Sequence, residues 1–253
     1  MRKLCAALLA ALLLCGCREQ GETVNLDGST AMSGVVTVLG EAFQERRPEV
    51  RVNCSGSGSG AGVEAALSGT SDMGLASRAL TEEELARGAV GHLIAWDAIA
   101  VIVHPDNPVR ALTPEALASI FTGELDRWTQ AGGEDRPIAV YGREAGSGTR
   151  DAFEEALGVV DRCAYTNEYC SAGDVAWNVA GNPNAIGYVS RTAAGKDTAV
   201  VAVDLPLRRP FLLVTREDRA LSEAAGAFLA FAESGEAAAY LRLAGAEPPG
   251  ETS

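Results

Sequence analysis

At 253 residues, with 47% apolar and 22% charged residues, the chain can form one large domain or two small ones around a real core. A net charge of −13 excludes a surface that gathers nucleic acid or anionic lipid by long-range attraction. It leaves room for a small-anion site, because a buried anion answers to local donors and surface charge is screened beyond about 8–10 Å.

The first residues read as an export signal. Arg2 and Lys3 precede an apolar run over 4–14, and at about 11 residues that run is too short to span a bilayer. The sequence Leu14-Cys15-Gly16-Cys17 is similar to a bacterial lipobox. That similarity implies removal of residues 1–16, lipidation of Cys17, and a tether over 17–22. Ordinary secretory cleavage nearby is the plainer alternative. No later stretch is long and apolar enough to cross a membrane. Export leaves Cys54, Cys163 and Cys170 in an oxidising compartment. Cys163 and Cys170 stand seven apart across a polar loop, and a local disulfide is expected there. Cys54 falls in an apolar strand pattern and is expected to be a small buried hydrophobe. With His92 and His104 the only histidines and no Cys/His cluster, a metal site or a Ser-His-Asp triad has few candidates, and no cofactor is expected.

A brief strand over 23–26 leads through Asp27-Gly28-Ser29-Thr30 into a helix over about 31–46, with Val35, Val36, Leu39 and Phe43 on one face. By itself that turn is a Ser/Thr helix cap. Residues 50–54 alternate as a strand, and a Gly/Ser run over 55–62 precedes a short helix over 63–67. A flexible linker is the bland reading of the run, but structure continues on both sides of it. Its loose match to a dinucleotide fingerprint, Gly56-x-Gly58-x-x-Ala61, is weak alone and out of place in an exported chain. Residues 72–78 form a third strand with polar ends, Thr81-x-x-Glu84 is a capping box for a helix to about 87, and 93–103 reads as a buried central strand. The repeated strand–turn–helix order predicts an α/β protein with a largely parallel sheet.

His104-Pro105-Asp106-Asn107-Pro108 interrupts this order and reads as entry to a second lobe. Thr113-Pro114-Glu115 caps a helix to about 121. A loop over 122–136 leads to a strand over 137–141, then to Arg143-Glu144-Ala145-Gly146-Ser147-Gly148-Thr149-Arg150, then to a helix over 151–157. This turn carries the clearest chemistry. A helix N-terminus offers unpaired N–H groups and the positive end of the dipole. Gly146 and Gly148 lack the Cβ atoms that would hold an anion off the backbone. Ser147 and Thr149 add hydroxyls, and Arg143 adds charged donors. The combination predicts an oxyanion site. Residues 158–184 are loop-rich with a helix around 173–180, followed by strands over 185–190 and 199–203. A strand over 211–215 returns to the first lobe, and two alanine-rich helices cover about 221–233 and 235–243. The expected division is 23–103 with 206–246 as one lobe, 104–205 as the other, and a flexible tail over 247–253.

Together these stretches resemble the substrate-binding lipoproteins of bacterial phosphate ABC transporters. The resemblance rests on Gly28-Ser29-Thr30, Gly58-Ser59-Gly60-Ala61-Gly62, Asp72 through Arg78, Asp106-Asn107-Pro108, Ile120-Phe121-Thr122-Gly123 with Trp128 and Gly132-Gly133, Arg143 through Thr149, and Ala185 through Ser190, in that order. It covers about 25 to 243. Ala31, Ala98 and His104 depart from the usual family residues. The resemblance implies a two-lobed, type II periplasmic-binding α/β fold that clamps inorganic phosphate in its cleft. Carried over by motif, the contacts are Ser29, Thr30, Ser59, Asp72, Arg143, Ser147, Gly148 and Thr149, with Ser77 and Arg78 adjoining. Asp72 would accept the proton that phosphate carries and sulfate lacks, as sites that use a ligand donor reject analogues without one. A salt bridge from Asp72 to Arg143 is the simpler alternative. The resemblance also implies a monomer anchored through Cys17 outside the cytoplasm, with ABC permease subunits as partner and no enzymatic role. Sensing of phosphate or arsenate without transport is an alternative. An exported hydrolase using Ser59 or Ser147 lacks a G-x-S-x-G elbow and an evident base.

Overall fold

A computed structural model describes residues 21–250. The leader, Cys17 and most of the tether lie outside the described residues, as do residues 251–253. The first lobe begins β1 (Thr23–Gly28), a 3-10 turn (Thr30–Met32), α1 (Ser33–Arg46), β2 (Arg51–Ser55), α2 (Ser59–Ser68), β3 (Met73–Ala76) and α3 (Glu82–Ala86). β4 (Ala89–Val103) crosses into the second lobe. That lobe holds β5 (Ala111–Leu112), α4 (Pro114–Phe121), β6 (Ala139–Arg143), α5 (Gly148–Leu157), β7 (Asn167–Tyr169), α6 (Ala172–Ala180), β8 (Ala185–Ser190) and β9 (Ala199–Val203). β10 (Arg208–Arg216) returns, and α7 (Glu223–Glu233) and α8 (Ala238–Leu243) close the first lobe.

Local chemistry sets most of these limits. The Thr81 hydroxyl accepts from the Glu84 N–H and the Glu84 carboxylate accepts from the Thr81 N–H, the reciprocal capping box. Thr113 caps α4 with Pro114 at its first position. Gly69 and Gly158 end α2 and α5 in the left-handed conformation that glycine adopts without penalty. α1 buries Val35, Val36, Leu39 and Phe43, and the Phe43 ring meets Phe228 of α7 edge-on at 5.4 Å.

The strands form one mixed sheet in the order β2-β1-β3-β10-β4-β8-β6-β7. The flanks are parallel, as expected: β1 with β2 and β3, β6 with β7 and β8. The centre is not. β10 runs antiparallel to both β3 and β4, and β4 antiparallel to β8 and β9. The reversal follows from the chain's route, since β4 leaves the first lobe and β10 comes back beside it. The two halves of β4 therefore have different partners: Ala89 to Ala98 pair with β10, and Ile99 to Val103 with β8. The apolar cores divide at the same place. One gathers residues between Val24 and Ala95 with Phe211 to Ala246, and another gathers Ile99 to Leu207. Among the described residues, no helix is long and apolar enough to cross a membrane.

Two expectations about cysteines are corrected. Cys163 and Cys170 are free thiols, not a disulfide. Between them the chain extends alongside β6, with Asn167 to Tyr169 in register with Tyr141 to Arg143, so the two thiols stand at opposite ends of an extended segment. A disulfide needs its Cα atoms within about 7 Å. Cys163 packs against the second-lobe core instead, and Cys170 is exposed. Cys54 is exposed rather than buried, because β2 is an edge strand with β1 as its one partner. At the C-terminus, Glu247 exchanges both backbone hydrogen bonds with Trp96 of β4, at 2.7 and 2.8 Å, and binds Arg208 at 3.0 Å. Glu247, where the expected tail begins, is thus held to β4.

Candidate anion-binding site

Three turns at the C-terminal ends of first-lobe strands face the start of α5 in the second lobe. After β1, Gly28 adopts φ 141° and packs so closely on β3 that an added Cβ would stand 2.3 Å from the Leu75 carbonyl oxygen. Only glycine fits there. The turn places Ser29 in a buried position, with its N–H on Leu75 O at 2.9 Å. Ser29 precedes the 3-10 turn but its hydroxyl does not cap it; Oγ donates to Ser77 Oγ at 2.8 Å. Gly58, at φ 96°, turns the chain into α2, whose first residue Ser59 is buried. Ser77 follows β3 and is fully buried.

The second lobe contributes β6 and the turn into α5. Arg143 ends β6 with 1% exposure. Its guanidinium grips Glu144 at 2.8 and 3.0 Å, the Tyr169 and Cys170 carbonyl oxygens at 3.2 Å each, and, across the cleft, Thr30 Oγ1 at 3.2 Å. Its backbone N–H donates to the hydroxyl of Tyr188, a buried ring stacked on Phe153 beneath α5 at 4.0 Å. Ser147 is the N-cap of α5, yet its hydroxyl makes no capping bond. Gly148 and Thr149 begin the helix and are buried. The first N–H groups of a helix have no intrahelical acceptor, and here they open into the cleft beside the start of α2.

The lobes touch. Gly60 N–H donates to Gly146 O at 3.2 Å, and an added Cβ on Gly148 would stand 2.4 Å from Ser59 Oγ and 2.7 Å from Ser77 Oγ. Next to Ser77, Arg78 spans Glu84 at 2.7 Å and Asp151 of α5 at 3.0 Å. Asp151 is 41% exposed, so this bridge contributes little, as partly exposed pairs are worth about 0–1 kcal/mol. Arg78→Ala is expected to weaken ligand affinity only about two- to fivefold through loss of the closed-state contact. Calorimetry reads it, and a loss of a hundredfold would place Arg78 on the ligand.

Ser29, Thr30, Ser59, Arg143, Ser147, Gly148 and Thr149 thus come to one cleft. Asp72 does not. It precedes β3, at the opposite end of that strand from Ser77. Five residue steps of extended chain separate them, about 16 Å. Asp72 Oδ2 accepts the Asn25 N–H at 2.8 Å, and the Asp72 N–H returns a bond to Asn25 O at 2.9 Å. It holds the start of β3 to β1 and does not approach Arg143.

Two charged residues stand in the cleft instead that no local motif marks. Arg209 of β10 and Asp97 of β4 are wholly buried and paired, with N···O distances of 2.8 and 2.9 Å. Arg209 also donates to Ser77 Oγ and to Thr149 Oγ1. Burial pulls the Arg209 guanidinium below the ordinary arginine value, and the charge of Arg143 adds to that. Burial raises the Asp97 carboxyl above its ordinary value, opposed by the Arg209 charge beside it, while arginine starts so high that it stays protonated. The signal available in the sequence was Asp97, the one acidic residue inside the apolar run of β4, with Arg208-Arg209 opening β10, since a buried charge must find a partner.

The two histidines stand elsewhere. His92 meets Glu233 and Thr215 at 3.1 and 3.0 Å, and His104 faces Asp106. Neither is placed as a base for Ser59 or Ser147. Among the described residues, neither serine has a hydrogen bond to a base.

Residues 18–241 match the model of the PBP superfamily domain. The chain is 27% identical over 194 residues to the phosphate-binding protein PstS of Borreliella burgdorferi, covering 72% of this chain and 69% of that one. It is 31% identical over 171 residues to PstS of Bacillus subtilis, covering 66% and 57%. These relatives extend beyond the matched region. Among solved structures, a protein assigned as a phosphate ABC transporter substrate-binding protein, with bound phosphate, from Clostridium perfringens superposes with TM-score 0.86 at 35% identity, over 90% of this chain and 99% of that one. An ABC-type phosphate transport receptor from Vibrio cholerae follows at TM-score 0.72 and 31% identity, over 89% and 100%.

Proposed function

This chain belongs to the PBP superfamily, and from that membership we propose that it captures inorganic phosphate outside the cytoplasm and delivers it to an ABC permease. The observation that carries the reading is the meeting of two helix N-termini, α2 and α5, across a buried cleft lined by serine and threonine hydroxyls and the guanidinium of Arg143. A phosphate entering such a cleft loses its hydration and must have it replaced by aimed donors. Thr30, Ser59, Ser147, Thr149, the backbone N–H groups at Gly148 and Thr149, and Arg143 supply them, with Ser29 one bond further back. Several charge-assisted bonds at roughly 1.5–3 kcal/mol each suffice for micromolar affinity, about −8 kcal/mol.

Capture proceeds by closure. Thr30 and Ser59 belong to one lobe, and Arg143 through Thr149 to the other. A ligand bound between them stabilises the closed state through contacts that the open state lacks. The chain binds without turnover in this reading. Lipidation at Cys17 would hold it at the membrane surface beside its permease, and the captured state would be the one the permease recognises. The similarity to proteins named for phosphate binding and phosphate transport supports this ligand over other oxyanions.

The reading is tested by titrating phosphate, arsenate and sulfate into the mature chain by calorimetry. Saturable phosphate binding with about 1:1 stoichiometry is expected, and its absence would end the proposal. The same titration examines Asp72. Because that carboxylate binds a backbone N–H at the far end of β3, Asp72→Asn is expected to leave phosphate affinity and the phosphate-to-sulfate ratio within about twofold of wild type, as distant surface changes do. A ratio that collapses in the variant would return Asp72 to the ligand.

A further inference from the structure

Two charges sit behind the anion turns and take no part in the contacts proposed above. Asp97 lies within β4, and Arg209 stands opposite it on β10, in direct register. Neither side chain has any exposure. A buried ion pair is often no more stabilising than a well-packed apolar pair of similar volume. Stability alone is therefore a poor reason for this one.

The directions of its hydrogen bonds give a better one. Arginine donates and cannot accept. Nε and Nη2 of Arg209 serve Asp97 Oδ2 at 2.9 and 2.8 Å, while Asp97 Oδ1 accepts from Ser190 Oγ at 2.8 Å. The remaining arm, Nη1, reaches Ser77 Oγ of the first lobe at 3.2 Å and Thr149 Oγ1 of the second. Both hydroxyl oxygens must accept. Ser77 Oγ also accepts from Ser29 at 2.8 Å, which occupies its second lone pair. Its own proton then goes to Ser59 Oγ, at 3.2 Å. Ser59 Oγ takes that proton and the Ser77 N–H, at 3.1 Å, so both of its lone pairs are filled too. What remains unassigned is the proton of Ser59, and the proton and one lone pair of Thr149. Ser59 opens α2 and Thr149 lies in the first turn of α5, the two helix starts that face each other across the cleft.

The geometry points to Arg209 as a positioning residue for anion capture: held by Asp97, it orients the hydroxyl network from both lobes at once, so that Ser59, with both lone pairs filled, offers the ligand its proton, and Thr149, with one lone pair turned to Arg209, has its proton free for the ligand. This inference rests on the phosphate reading. It adds that the face of the ligand met by these two residues carries bare acceptor oxygens, as the deprotonated side of a tetrahedral oxyanion does.

The test replaces the pair by apolar residues, Arg209→Met with Asp97→Leu, in the mature chain, and measures cooperative thermal unfolding and phosphate affinity. The variant is expected to unfold cooperatively and to bind about 30-fold more weakly, since two donors lose their orientation. A double-mutant cycle separates orientation from simple structural support. Ser59→Ala is expected to cost about tenfold in the wild-type background and less than about threefold without the pair, because an unoriented hydroxyl has less to lose. Additive losses, or an apolar pair that binds as wild type does, overturn the assignment. Should the apolar pair fail to fold, Arg209→Lys keeps a cation opposite Asp97 but not the forked reach to both hydroxyls. The same cycle in that background is expected to show the same non-additivity, and additivity there is equally fatal. A wild-type chain that does not bind phosphate overturns the functional reading; a wild type that binds while the pair is dispensable overturns this inference alone.

Discussion

Replacing Arg143 by alanine is expected to lower phosphate affinity by about 10²–10⁴, the equivalent of two charge-assisted hydrogen bonds at roughly 1.5–3 kcal/mol each. Of the side chains proposed to touch the ligand, Arg143 joins the most partners. Arg143 is 1% exposed and binds Glu144, the ends of β7, and Thr30 on the opposite lobe. Its removal would take a cation from the ligand, a bridge from the closed state and a partner from Glu144 together. Arg143→Lys is the sharper variant. An ammonium keeps the charge but cannot hold Glu144 and the β7 carbonyl oxygens while reaching Thr30, since that arrangement uses the planar fork. Lysine is therefore expected to recover only part of the loss. Calorimetry on the two variants decides the matter. A lysine variant that binds as tightly as wild type would show that charge alone is needed and would take the fork out of the mechanism.

Gly148→Ala is expected to cost at least about a hundredfold in affinity without harming the fold, because steric exclusion of one closed contact acts on the bound state alone. Gly148 begins α5 and does not occupy a left-handed conformation, so alanine meets no backbone strain there. Alanine is also the better helix former, by up to about 1 kcal/mol in a helix interior. The open form should thus be as stable as wild type or slightly more so. The closed form is another matter. A methyl group at this position would stand 2.4 Å from Ser59 Oγ, 2.7 Å from Ser77 Oγ and 3.1 Å from Ser59 Cβ. The lobes would have to part to admit it. An unchanged melting temperature with lost binding is the expected pair of results. A variant that binds normally would mean that the cleft does not close to the separation described here.

Much of the first-lobe and second-lobe organisation was legible along the chain. α4 occupies the residues its cap and Pro114 predicted, and the helix box at Thr81 forms as its spacing required. Both are local events, settled within one turn of chain. The Gly-Ser turns before α1, α2 and α5 were legible for the same reason, since a strand ending in small polar residues and running into a helix leaves N–H groups uncovered, although α2 and α5 begin at Ser59 and Gly148, inside the stretches read as turns. β5 and β7 were not legible. They are two and three residues long, and β7, Asn167-Glu168-Tyr169, carries no apolar alternation. Pairing with β6 makes it a strand, and that pairing brings the Tyr169 and Cys170 carbonyl oxygens to Arg143. The disulfide expectation failed on the same segment, since sequence separation says nothing about whether the chain between two thiols folds back or runs straight.

The sequence by itself determined the chemical kind of site: hydroxyls, small residues and one arginine at helix starts suit an oxyanion, and short-range backbone geometry forces them to present donors. Tertiary structure decided which residues belong to it. Asp72 and Ser77 lie on the same short segment, yet an extended strand carries its two ends about 16 Å apart, so one joins the cleft and the other cannot. Asp97 and Arg209 are 112 positions apart in the chain and meet because β4 and β10 pair in one particular register. A shift of one residue would turn each side chain to the opposite face of the sheet. Register of that kind depends on the packing of both lobes, and no stretch of local sequence encodes it.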